Sequence, residues 1–133
     1  MQKRYLNIKK NGQAILENVR VADTFLSRLS GLMFRKDLRG DGGLYLTPCN
    51  QIHTFMMKFE IDAIFVSRQH EVLHIESNIK PCRVSRHVKG AAAVIETAPG
   101  FAGCAGIVVG DELDFIEKRK DYGRSTQADN GKR

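Results

Sequence analysis

The chain is 133 residues long, 42% apolar and 27% charged, with a net charge of +6. That length suits one domain, and that balance suits a packed core rather than a disordered chain. It excludes an acidic tail protein, a membrane-spanning helix and a collagen or coiled-coil fibre.

The first ten residues carry charges with no apolar run behind them, so no secretory leader is read. Cys49, Cys82 and Cys104 are odd in number and widely spaced, which does not make a disulfide framework. A reducing cytoplasm is the expected compartment, although a chain stripped of an export signal would read the same.

Tyr5–Lys9, Asn11-Gly12 and Gln13–Val21 read as a β-hairpin, because Asn-Gly readily takes the positive φ angles of a two-residue turn. The period then changes. Phe25, Leu26, Leu29, Leu32 and Met33 fall on one helical face. Asp23 or Thr24 can cap this helix and Gly31 can stop it. Its apolar stripe is expected to lie on a sheet.

Arg35–Gly43 is a polar loop ending in Gly40-Asp41-Gly42-Gly43, without the Gly-Lys-Ser/Thr ending of a phosphate loop. Short strand-like runs follow at Leu44–Leu46, Thr54–Phe59, Ile61–Val66, Val72–Glu76, Ala93–Thr97, Ile107–Val109 and Glu112–Ile116. The pattern predicts a β-rich domain over residues 1–116, a compact sandwich or partly closed barrel with one short helix near 23–31. Residues 117–133 hold six basic and three acidic residues and no Ile, Leu, Val, Phe or Met. They are expected to form a disordered basic tail.

Several motifs recur in a familiar order. Arg28-Leu29-x-Gly31-Leu32-Met33-Phe34-Arg35 is followed by Ile52-His53-Thr54-Phe55-x-Met57, Ile61-Asp62-x-x-Phe65, Glu96-x-x-x-Gly100 and Gly110-Asp111. Over roughly residues 5–116 the sequence resembles the bacterial and archaeal family called domain of unknown function 192. The resemblance implies a compact β-rich fold with a short helix. It implies no activity, cofactor or catalytic residue.

The chemistry-bearing candidates are read from the residues themselves. His53, Thr54 and Asp62 form the densest polar group. Asp62 sits inside the apolar run Ile61–Val66, where a buried carboxylate needs a partner. Arg28, Arg35 or the amides of a turn can supply one. Glu96, at the end of Ala91–Ile95, is a second carboxyl for the same pocket. Arg83 and Arg86, in the basic stretch 80–89, offer planar forks to an anion.

Cys49 and His53 stand four apart, but without a Cys-x-x-Cys pair no metal site is read, and no cofactor motif is present. The expected function is an accessory or ligand-binding domain. Its pocket would hold a small anionic or polar ligand between Arg28, His53, Asp62, Arg83 and Arg86. One alternative is a hydrolase using Asp62 and Glu96 with His53 as base. A second is weak nucleic-acid binding through residues 80–89 and the tail.

Overall fold

The computed structural model describes residues 3–38 and 40–118. Seven strands form a single sheet: β1 (Tyr5–Lys10), β2 (Gln13–Ala22), β3 (Gly43–Leu46), β4 (Ile61–Val66), β5 (Val72–Ile79), β6 (Ala93–Thr97) and β7 (Asp114–Lys118). Two short helices accompany them, α1 (Phe25–Ser30) and α2 (Phe101–Cys104). The strand order is β5-β4-β6-β3-β2-β1-β7. The β2–β3 pairing is parallel and the other neighbours are antiparallel.

The expected hairpin forms, with Asn11 and Gly12 at φ 54° and 79°. Positive φ at both central residues gives the turn whose twist matches its two strands. The sheet does not close along its edges. At one corner Glu71 bridges Glu112, and Leu113 N–H donates to the His70 carbonyl at 3.0 Å. The chain entering β5 and the chain entering β7 therefore meet, although these strands are the two sheet edges.

The core follows from side-chain alternation along the strands. In the β4–β6 ladder Ala63 pairs with Glu96 and Phe65 with Val94, on one face. Asp62, Ile64 and Val66 pair with Thr97, Ile95 and Ala93, on the other. The first face packs with Leu32, Leu44, Leu46, Ile52 and Met57. The second packs with Leu6, Ile8, Val19, Ala102, Ile107 and Leu113. Both faces are covered, so β4 and β6 are buried along their whole length, Asp62, Glu96 and Thr97 included.

Four expectations change. The helix is present and capped, but none of its residues is buried. Phe25, Leu26 and Leu29 are exposed, and the apolar stripe reaches the core only through Leu32, just past the end. Six residues are too few to lay a whole face on the sheet before Gly31 turns the chain.

Thr54–Phe59 is not a strand. Met57 N–H donates to the Thr54 carbonyl and Met56 has φ 61°, because Thr54 is bound elsewhere. Ile107–Val109 is not a strand either. The Asp111 carboxylate accepts from Val108 N–H at 2.9 Å and closes a turn there. Strand β7 runs through Lys118, which pairs with Tyr5, so Glu117 and Lys118 belong to the sheet. The rest of the expected tail lies outside the described residues.

Candidate functional site

A cavity of about 290 Å³ opens between α1, the chain that follows it, and the segment Pro48–His53, with Glu96 of β6 in its wall. Local chemistry fixes the first two sides. The Thr24 hydroxyl accepts from Ser27 N–H, and Ser27 Oγ accepts from Thr24 N–H. This reciprocal cap satisfies amides that a helix start leaves open. Gly31 stops the helix at φ 41° and its N–H donates to the Ser27 carbonyl.

Pro48–His53 is held from behind. Cys49 N–H donates to the Ala92 carbonyl, and Ile52 N–H donates to Ser85 Oγ at 3.0 Å. The Thr54 hydroxyl donates to the Lys80 carbonyl at 2.6 Å and accepts from Arg83 N–H at 2.9 Å. Thr54 and Ser85 are buried polar residues spent on positioning this segment. Sequence reading overlooked Ser85; nothing in the bare sequence marks it.

His53 joins the two walls. Its Nδ1 accepts from Phe55 N–H at 3.1 Å and its Nε2 lies 3.1 Å from the Leu29 carbonyl. An acceptor role at Nδ1 requires the proton on Nε2, which then donates to Leu29. Both ring nitrogens are thereby engaged. His53 stacks on Phe55 and ties the loop to the end of α1.

Arg28 lines the cavity from α1. Its Nη1 donates to the Asp23 carbonyl at 3.2 Å and more weakly to the Thr47 carbonyl at 3.4 Å. Cys49 lines the opposite wall and its thiol donates to the Gln51 carbonyl at 3.2 Å. Burial raises the Cys49 pKa. The charge of Glu96 raises it further and that of Arg28 opposes, so the thiol feels both groups.

Glu96 is only 3% exposed. Its strand partners on the same face are Leu44 and Ala63, which offer nothing polar to it. Among the described residues no donor reaches its carboxyl. Burial pushes its pKa up to about 8, so the acid is largely neutral at pH 7.

Asp62 is elsewhere. It is fully buried and accepts from Asn78 N–H at 2.9 Å, Gly100 N–H at 3.1 Å and Ala102 N–H at 3.0 Å. Two of those amides begin α2, so Asp62 caps that helix from a distant strand. This links the Ile-Asp and Glu-x-x-x-Gly motifs structurally. Arg28 and Arg35, considered as its partners, are not: Arg35 lies 3.6 Å from Asp41. Asp62 lines no part of the cavity, and neither do Arg83 and Arg86, which are exposed on the 80–89 stretch.

The structure thus brings together Arg28, His53, Glu96 and Cys49, and separates Asp62, Arg83 and Arg86 from them. Asp62 and Glu96 do not face each other, because they leave opposite faces of the sheet. Cys82 and Cys104 are exposed, and no group of three or more metal-ligating side chains occurs among the described residues. Among the described residues no helix is long and apolar enough to cross a membrane.

Solved structures share this architecture. A protein of unknown function from Novosphingobium aromaticivorans DSM 12444 superposes with a TM-score of 0.74 over 86% of each chain, at 23% identity. Sequence relatives lie in archaea. The UPF0127 protein PF1050 of Pyrococcus furiosus is 31% identical over 115 residues, covering 83% of this chain and 96% of its own. A UPF0127 protein of Thermococcus sibiricus is 30% identical over 112 residues, covering 80% and 71%. Residues 6–115 match the family model DUF192, described as "Uncharacterized ACR, COG1430", so the chain belongs to the DUF192 family.

Proposed function

We propose that the chain is a ligand-binding domain whose cavity receives a small molecule with a polar head and an apolar body. The observation that carries this reading is Glu96, a buried carboxyl without a hydrogen-bond donor in the wall of an open cavity. A buried polar group is normally satisfied by protein or by ordered water. The Glu96 oxygens are not among the side-chain atoms sealed away without a partner, so the carboxyl reaches the cavity and is open to an incoming donor. The remaining lining supports an apolar body, since Leu32, Leu46, Ile52 and Met57 are buried around it.

Acid–base catalysis is less well supported. The imidazole of His53 spends both nitrogens on main-chain groups, and no activated nucleophile accompanies it.

The test is a ligand screen. Thermal shift and amide NMR against a broad metabolite panel should give at least one compound that stabilises the protein. That compound should perturb resonances of Leu32, Cys49 and Met57. Glu96→Leu should remove the effect without unfolding the chain. A panel without any hit, together with a Glu96→Leu protein altered only in stability, overturns the reading.

A further inference from the structure

We propose that the head group completing this cavity is an organic cation, an ammonium carried on a short hydrocarbon body and seated against Glu96. The inference rests on the ligand-binding reading above and names its ligand class. Three observations point to it.

The same sheet shows how this fold treats a carboxylate that is only structural. Asp62 receives three main-chain N–H donors. Glu96, equally buried and one residue out of step in the neighbouring strand, receives none. Its carboxyl is left to a donor that enters through the cavity.

The surroundings of Glu96 favour a charged donor. Leu44 and Ala63 flank it in the sheet and offer no competing donor, and a cation–carboxylate hydrogen bond is about twice as strong as a neutral one. The charged and titratable groups facing the cavity are Arg28 from α1 and Cys49 and His53 from the Pro48–His53 segment. Arg28 donates to main-chain carbonyls and His53 to the Leu29 carbonyl, and neither makes an ion pair or hydrogen bond with Glu96.

The alternative head group, an anion, would have to lie beside a second acid. Neutralising Glu96 by its own protonation is the state of the empty cavity, in keeping with its raised pKa. An arriving ammonium displaces that proton to solvent and takes its place. The carboxyl O–H bond breaks, water or buffer takes up the proton, and no bond between heavy atoms changes.

The experiment compares pentylammonium, pentanol and pentanoate, which share one hydrocarbon body. Each is titrated calorimetrically into the full-length protein from pH 6.5 to 9. Pentylammonium should bind at least tenfold more tightly than either of the others. Its affinity should rise about tenfold from pH 6.5 to 8 and level off above. Buffers of different ionisation heat should reveal close to one proton released near pH 7. Glu96→Gln should lower pentylammonium affinity at least tenfold and leave pentanol unchanged.

If Glu96→Gln does not fold, the pH profile and proton release of the natural protein decide. Pentanol or pentanoate binding as well as the ammonium overturns the cationic class while the cavity still binds ligands. Failure of all three at millimolar concentration overturns the class and weakens the ligand-binding reading, which the metabolite screen then judges independently.

Discussion

Asp62 and Glu96 lie on adjacent strands, one ladder position apart, yet their carboxyls leave opposite faces of the sheet. One is closed off by three main-chain amides and the other borders an open cavity. Alternation along a β-strand permits no other outcome for neighbouring ladder positions. The two acids therefore have separate roles, and each can be tested alone.

Asp62→Asn puts an amide donor among three N–H donors. It should destabilise the protein by about 2–4 kcal/mol, since buried amides lose a charged acceptor. Urea unfolding measures the loss. A change below 0.5 kcal/mol, on the order of an ordinary surface substitution, removes the capping role.

Glu96 makes stability depend on pH. Its folded pKa of about 8 lies above the ordinary value of 4.5. Below the ordinary value both states hold the proton and nothing is lost. Between the two values the unfolded chain releases the proton while the folded chain keeps it, so stability falls as pH rises, then levels off above 8. The slope for one group approaches about 1.4 kcal/mol per pH unit. Urea unfolding at pH 6 and pH 8 should show a steeper decline for the natural protein than for Glu96→Gln. Parallel behaviour of the two proteins contradicts the assignment.

His53 should hold its proton on Nε2. Long-range ¹H–¹⁵N correlation at pH 8 reads the tautomer directly. A proton on Nδ1 is incompatible with acceptance from Phe55 N–H. His53→Leu should cost about 0.5–1.5 kcal/mol through the lost hydrogen bonds to the exposed Leu29 carbonyl and Phe55 N–H.

Gly43 brings β3 against β6. An added Cβ would lie 2.6 Å from the Glu96 carbonyl oxygen, which is main chain and cannot swing away. Gly43→Ala should therefore lower the melting temperature far more than Phe25→Ala. Phe25 is 69% exposed, and its loss should stay within about 0.5 kcal/mol. Equal effects of the two substitutions contradict the packing.

Thiol labelling should separate the cysteines. Cys82 and Cys104 are exposed, whereas burial raises the Cys49 pKa and slows thiolate attack. Ellman's reagent should modify the first two rapidly and Cys49 slowly. Rapid modification of all three contradicts the closed wall.

The Asn11-Gly12 hairpin, the cap at Thr24, the stop at Gly31 and the buried runs of β4 and β6 are legible in the bare chain, because each depends on neighbours within a few residues. So is the demand that Asp62 find a partner. Which partner it finds is not legible: the amides of Gly100 and Ala102 lie about 40 positions further on and meet it only when β4 pairs with β6. The same pairing decides that Glu96 faces the cavity while Asp62 faces away. The Thr54–Phe59 run looks like a strand because its residue types suit one, but long-range bonds from Thr54 to Lys80 and Arg83 bend it into a turn. Local sequence sets the backbone's short-range choices. Strand register, a long-range property, decides which polar groups meet and which is left facing the cavity.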